Sequence, residues 1–136
     1  MIGLIDYGIS NLRSVQKAFA HLGVEVTLID TPDQLVRAER LILPGVGAFR
    51  AGMDGLRARG LIEPIRQAAA GTPLIGICLG MQLLFESSDE LGHTAGLGLL
   101  PGHVTKIKRQ EAGSKTQEPF HVTRDTQHTL KIPHVG

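Results

Sequence analysis

Tryptophan is absent from this 136-residue chain, aromatic residues make up 4% of it, and it has a single cysteine, Cys78. With so few rings, much of the core must be aliphatic. One cysteine excludes an internal disulfide, which fits a reducing, cytoplasmic setting. The formal net charge is only +1. Bulk electrostatics therefore does not hold a nucleic acid or another polyphosphate. No apolar run is long enough to span a bilayer. The N-terminus "MIGLIDYG" reaches Asp6 without a basic n-region or a long h-region, so no secretory signal and no membrane partner is expected.

What is present suits one domain over residues 1–136, with 42% hydrophobic residues and no internal repeat. "MIGLID" reads as a buried parallel strand. "SNLRSVQKAFAHLG" places Leu12, Val15, Phe19 and Leu22 at helical spacing and stops at Gly23. "VEVTLID" suggests a second strand. In "TPDQLVRA", Thr31 is the expected N-cap, Pro32 sits at N1, and Gln34 at N3 completes a capping-box pattern. "RLILPG" is a third strand. "AFRAGMDGLRARGLIEPIRQAAAG" reads as one or two helices around Gly60, and "PLIGIC" as a fourth strand. "LGMQLLFESS" reads as the next helix. Strands separated by helices imply right-handed βαβ units. The expected fold is α/β, a doubly wound, mostly parallel sheet with helices on both faces and active groups at the carboxyl ends of strands. Beyond Ser88 the chain is rich in glycine, with a strand expected near His103 to Lys108 and a polar stretch after it. No closing helix is visible, so the sheet is expected to be incomplete at its C-terminal side.

The lone cysteine lies in "GICLGMQLLF", between Gly76 and Gly80, at a strand-to-helix junction. G-x-C-x-G there has the form of a nucleophile elbow. A sharp turn projects the nucleophile into a cleft, and small residues are needed on either side because backbone crowds there. The helix N-terminus favours the thiolate, and the Leu79 N–H is placed to bind an oxyanion. "LPGVGAF" follows the third strand and should reach the same sheet edge. Its Gly45 and Gly47 let backbone approach a ligand and present N–H groups.

These stretches, with "DYGISNLRSV" and "GLGLLPGHV", resemble the class I, triad-type glutamine amidotransferases, and among them the glutaminase subunits of imidazole glycerol phosphate synthases. The resemblance runs from Met1 to about Lys108 and returns in "KIPHVG". It implies that Cys78 attacks the side-chain amide of L-glutamine to form a thioester and release ammonia. It implies an oxyanion hole from the N–H groups of Leu79, Val46 and Gly47, and substrate binding by Gln82 and Gly45. It implies a heterodimer with a (β/α)₈-barrel cyclase subunit, contacted through Asn11 and His134. That cyclase would use the ammonia to make imidazole glycerol phosphate and an aminoimidazole carboxamide ribotide in histidine biosynthesis. No metal and no cofactor is implied.

Two departures qualify the resemblance. Ser10 stands where the family usually has glycine, and residues 109–130 match poorly. The family's base is a histidine followed two residues later by glutamate near the end of a longer chain. None of the six histidines here, His21, His93, His103, His121, His128 and His134, is followed by that glutamate. The sequence therefore predicts a nucleophile whose base lies in a final catalytic segment outside this chain. The alternatives are a glutaminase of another pathway, or an inactive, truncated binding module that keeps the elbow without the triad.

Overall fold

The structure, a computed structural model, describes residues 1–107. Residues 108–136, which include His121, His128, His134 and the poorly matching stretch, lie outside the described residues.

The first four strands are β1 (Ile2–Ile5), β2 (Thr27–Ile29), β3 (Arg40–Leu43) and β4 (Leu74–Gly76). They form one parallel sheet in the order β2-β1-β3-β4. Between them run α1 (Leu12–His21), α2 (Pro32–Leu35), α3 (Phe49–Ala58) and α4 (Ile62–Ala68). The chain moves one way from β1 to β2 and then crosses back over β1 to β3. With right-handed crossovers, that reversal puts α1 and the α3–α4 pair on opposite faces. The doubly wound architecture expected from the sequence is the one observed.

One cross-sheet row shows where the sheet is covered. Leu28, Leu4, Ile42 and Ile75 stand side by side on one face. Leu4 and Ile42, on the inner strands, are buried, whereas Leu28 is 40% and Ile75 58% exposed. The other face is packed more fully. Ile5, Leu41 and Leu43 join Met53 and Leu56 of α3 and Ile65 of α4 in a single core cluster. Residues alternate faces along a strand, so neighbouring positions of β3 serve both sides.

Two local readings are corrected. The segment "LGMQLLFESS" is not one helix. α5 covers only Leu79–Leu83, and Phe85–Ser88 is a strand, β5. β5 belongs to a second, three-stranded sheet with β6 (Thr94–Ala95) and β7 (Leu100–Val104), in the order β6-β5-β7. Ser87 and Ser88 are buried there, and β5 pairs in parallel with β7. Tertiary pairing overrides the helical pattern that Leu83, Leu84 and Phe85 continue. β7 also begins and ends earlier than the strand expected near His103. The capping box at α2 does not form either. Thr31 is the N-cap without a side-chain bond, and Gln34 Oε1 instead accepts the Asp30 N–H at 3.0 Å.

Candidate active site

The strand-to-helix junction after β4 is tightly built. The Ile77 N–H donates to the Leu43 carbonyl at 2.9 Å, extending the β3–β4 ladder to the edge of the elbow. The chain then reverses at Cys78, the N-cap of α5, with φ 52° and ψ −119°. Cys78 is the only non-glycine residue with positive φ among the described residues. A side chain in that region of backbone space is strained by about 1–3 kcal/mol, and such strain persists only when the surroundings fix it. The surroundings here are backbone. A Cβ at position 80 would overlap the Leu43 carbonyl oxygen, and one at position 76 would come within 2.5 Å of the Met81 Cα. Both flanking glycines are therefore required by contact, as the elbow reading predicts. The thiol itself is exposed.

The turn after β3 lies against this elbow. The Leu79 N–H donates to the Gly45 carbonyl at 3.3 Å. The Val46 N–H donates to the Ile9 carbonyl at 3.2 Å. Gly47 has φ 99°, and no hydrogen bond from its N–H is found among the described residues. The structure thus joins the two turns through the Gly45 carbonyl and the Leu79 N–H next to Cys78, with Val46 and Gly47 following in the same turn. Two of the three expected oxyanion donors, Leu79 and Val46, are engaged with backbone carbonyls in this state.

The remaining expected residues fall into place unevenly. Gln82 is half-buried on α5, and its N–H bonds back to the Cys78 carbonyl at 3.2 Å. Asn11 caps α1, its Oδ1 accepting the Ser14 N–H at 3.4 Å. His134 lies outside the described residues. None of the three described histidines is bonded to Cys78. His103 Nδ1 is 2.6 Å from the Ser87 hydroxyl, His93 Nδ1 is 3.4 Å from Asp89, and His21 ends α1. Among the described residues there is no group of three or more His, Cys, Asp or Glu that could hold a metal ion, and no helix is long and apolar enough to cross a membrane.

Two residues gain importance that sequence reasoning left open. Tyr7, just beyond β1, is buried, and its hydroxyl donates to the Pro44 carbonyl at 2.6 Å. Glu90 accepts the Phe49 N–H at 3.3 Å through Oε2. That bond satisfies an orphan donor of α3, whose N-cap Ala48 offers no side-chain acceptor. Neither partner could be found by spacing, because each contact joins residues about forty positions apart.

Comparison with known proteins agrees with this geometry. The family model for glutamine amidotransferase class-I matches residues 3–134. An imidazole glycerol phosphate synthase subunit HisH of Salinibacter ruber is 47% identical over 137 residues, covering all of this chain and 57% of that protein. The subunit of the same name in Bacillus licheniformis is 49% identical over 138 residues, covering all of this chain and 58% of that protein. The chain thus spans somewhat under three-fifths of the length of these two relatives. Among solved structures, a glutamine amidotransferase superposes with TM-score 0.68 at 23% identity, over 80% of this chain and 59% of that one. A protein described as a putative peptidase E from Listeria monocytogenes superposes with TM-score 0.57 at 17% identity, over 73% of this chain and 62% of that one. These two likenesses concern the fold alone. The matching family model, with an exposed cysteine on a strained elbow, leads to one conclusion: this chain belongs to the class-I glutamine amidotransferase family.

Proposed function

We propose that the protein is the glutaminase subunit of an imidazole glycerol phosphate synthase. The observation that carries this reading is Cys78, an exposed thiol on the one strained non-glycine residue described, set beside the Gly45–Gly47 turn. The high identity to relatives named as subunits of that synthase supports the choice of pathway.

In this reading the Cys78 sulfur attacks the amide carbon of glutamine. The carbonyl oxygen takes up negative charge, and backbone N–H groups of the Val46–Gly47 segment and Leu79 would stabilise it. The C–N bond then breaks, a proton passes to the leaving nitrogen, and ammonia departs. Water hydrolyses the thioester to glutamate and restores the thiol. Gln82 and Gly45 would hold the substrate, and Asn11 and His134 would face the cyclase. The proton-transferring base would come from outside residues 1–107, since none of the described histidines is bonded to Cys78. Ammonia would pass to the cyclase, which makes imidazole glycerol phosphate and the aminoimidazole carboxamide ribotide. The setting would be cytoplasmic, and neither metal nor cofactor is needed for the glutaminase step.

The test is glutamate release from glutamine by the full-length protein, alone and with its cyclase subunit and nucleotide ligand. Stimulated release that disappears in Cys78→Ala is expected. Release that survives Cys78→Ala would overturn the reading, and stable cyclase binding without any turnover would mark a binding module instead.

A further inference from the structure

We infer that Tyr7 is a positioning residue for the oxyanion turn, its hydroxyl setting the orientation of the Pro44–Gly47 backbone that faces Cys78. The inference rests on the glutaminase reading above and adds to it a residue that touches neither substrate nor sulfur.

The turn runs through three successive peptide planes, the first two hydrogen-bonded and the third free at its N–H among the described residues. The first is Pro44–Gly45. Its carbonyl oxygen accepts the Tyr7 hydroxyl at 2.6 Å, inside the core. Because the peptide is planar, that bond also fixes the direction of the Gly45 N–H. The second plane is Gly45–Val46, whose carbonyl accepts the Leu79 N–H and whose N–H donates to Ile9. The third is Val46–Gly47. Val46 is 54% exposed, and the Gly47 N–H makes no bond among the described residues. The plane best placed to offer a free N–H to a substrate therefore lies two peptides beyond the one that the phenol anchors, with the Leu79- and Ile9-bonded plane between them.

The surroundings are shaped around the phenol. A Cβ at position 45 would overlap the Tyr7 hydroxyl, and one at position 55 would come within 2.5 Å of the Tyr7 carbonyl oxygen and 3.1 Å of its ring. Glycine at both places lets the β3–α3 turn and α3 itself close on the ring. Burial also pushes the phenol's pKa well above its ordinary value, so the hydroxyl stays a neutral donor at any working pH. Phenylalanine would fill almost the same volume and leave the buried Pro44 carbonyl without this partner.

Two reactions at the same sulfur separate positioning from general support. Iodoacetamide alkylates Cys78 by displacing iodide and develops no oxyanion. Glutamate γ-semialdehyde adds to the thiol: an S–C bond forms, the thiol proton ends on the former carbonyl oxygen, and that oxygen needs the donors of the turn. In the full-length protein with its cyclase subunit, Tyr7→Phe is expected to weaken aldehyde capture about tenfold. The glutaminase kcat should fall by a similar factor with KM unchanged, while the rate of alkylation by iodoacetamide stays at the wild-type value. Hydrogen exchange should quicken at Gly45–Gly47 and not in β1 or β3. Unchanged aldehyde capture, or an equal slowing of both reactions, would overturn the inference. So would a variant that fails to fold, because the hydroxyl would then be holding the domain rather than the turn. Wild-type protein that is alkylated by iodoacetamide but does not capture the aldehyde would instead refute the glutaminase reading, and this inference with it.

Discussion

The two turns that meet at the candidate site follow adjacent parallel strands, yet they handle difficult backbone in opposite ways. After β4 the positive φ falls on a residue with a side chain, Cys78 at 52°. After β3 it falls on a glycine, Gly47 at 99°. The difference matches what each turn presents. The elbow must aim a side chain, so the cysteine itself takes the strained conformation and the flanking glycines make room for it. The β3 turn presents backbone N–H groups, so a side chain at its positive-φ position would add strain and no chemistry. Strain on a non-glycine residue is thus a better pointer to a nucleophile than glycine content is.

The largest expected effect removes what only the elbow supplies. Cys78→Ala should lower glutaminase kcat by at least ~10⁴-fold in a steady-state assay, as loss of a nucleophile does elsewhere. Stability should be nearly unchanged, because the thiol is exposed.

Next comes the contact that joins the two turns. Gly80→Ala places a methyl group on the Leu43 carbonyl, which belongs to backbone and cannot swing aside. Urea denaturation should show a loss of roughly 3 kcal/mol or more.

A matched pair sharpens the contrast itself. Gly47→Ala meets no atom within 4 Å, so its cost is purely conformational. It should destabilise by about 1 kcal/mol. Cys78→Gly should do the reverse and stabilise by up to about 1 kcal/mol, since glycine relieves the strain while adding unfolded-state entropy. Equal and same-signed changes in the two thermal melts would break the comparison.

The smallest effect lies away from both turns. The N-terminal ammonium of Met1 bonds Glu39 at 2.8 Å and holds its carboxyl below the ordinary value. A depressed folded-state pKa means that the contribution is present above the unfolded-state pKa and is lost as pH falls through the folded one. Glu39→Gln should therefore lower the neutral plateau of a stability–pH curve slightly, which flattens the acid limb, and leave the stability at low pH where it is; the change is small because the pair is exposed.

The strands of the parallel sheet were legible because their signals are local. Each strand is a short apolar run closed by a turn residue, as Asp6 closes β1 and Pro44 closes β3. The elbow was legible for the same reason, since both glycines lie within two residues of the cysteine. β5 was not legible. Its Ser87 and Ser88 are buried by pairing with strands that come later in the chain, and nothing local marks a serine as a core residue. Gln34 was misread because a capping box and a bond to the Asp30 N–H look alike in sequence and differ by one residue in partner. The roles of Tyr7 and Glu90 were not legible, because they lie in carbonyl and amide groups on a distant turn.

The burial of Tyr7 has a practical consequence. This chain contains one tyrosine and no tryptophan. Its near-ultraviolet absorption above the phenylalanine bands therefore comes from a single ring packed against the Pro44–Gly45 peptide. Circular dichroism in that region reads the geometry of the turn with no added label. A ligand that rearranges the turn would register as a change at one chromophore, separable from any far-ultraviolet change in the sheet. The chain thus carries its own optical probe beside the nucleophile.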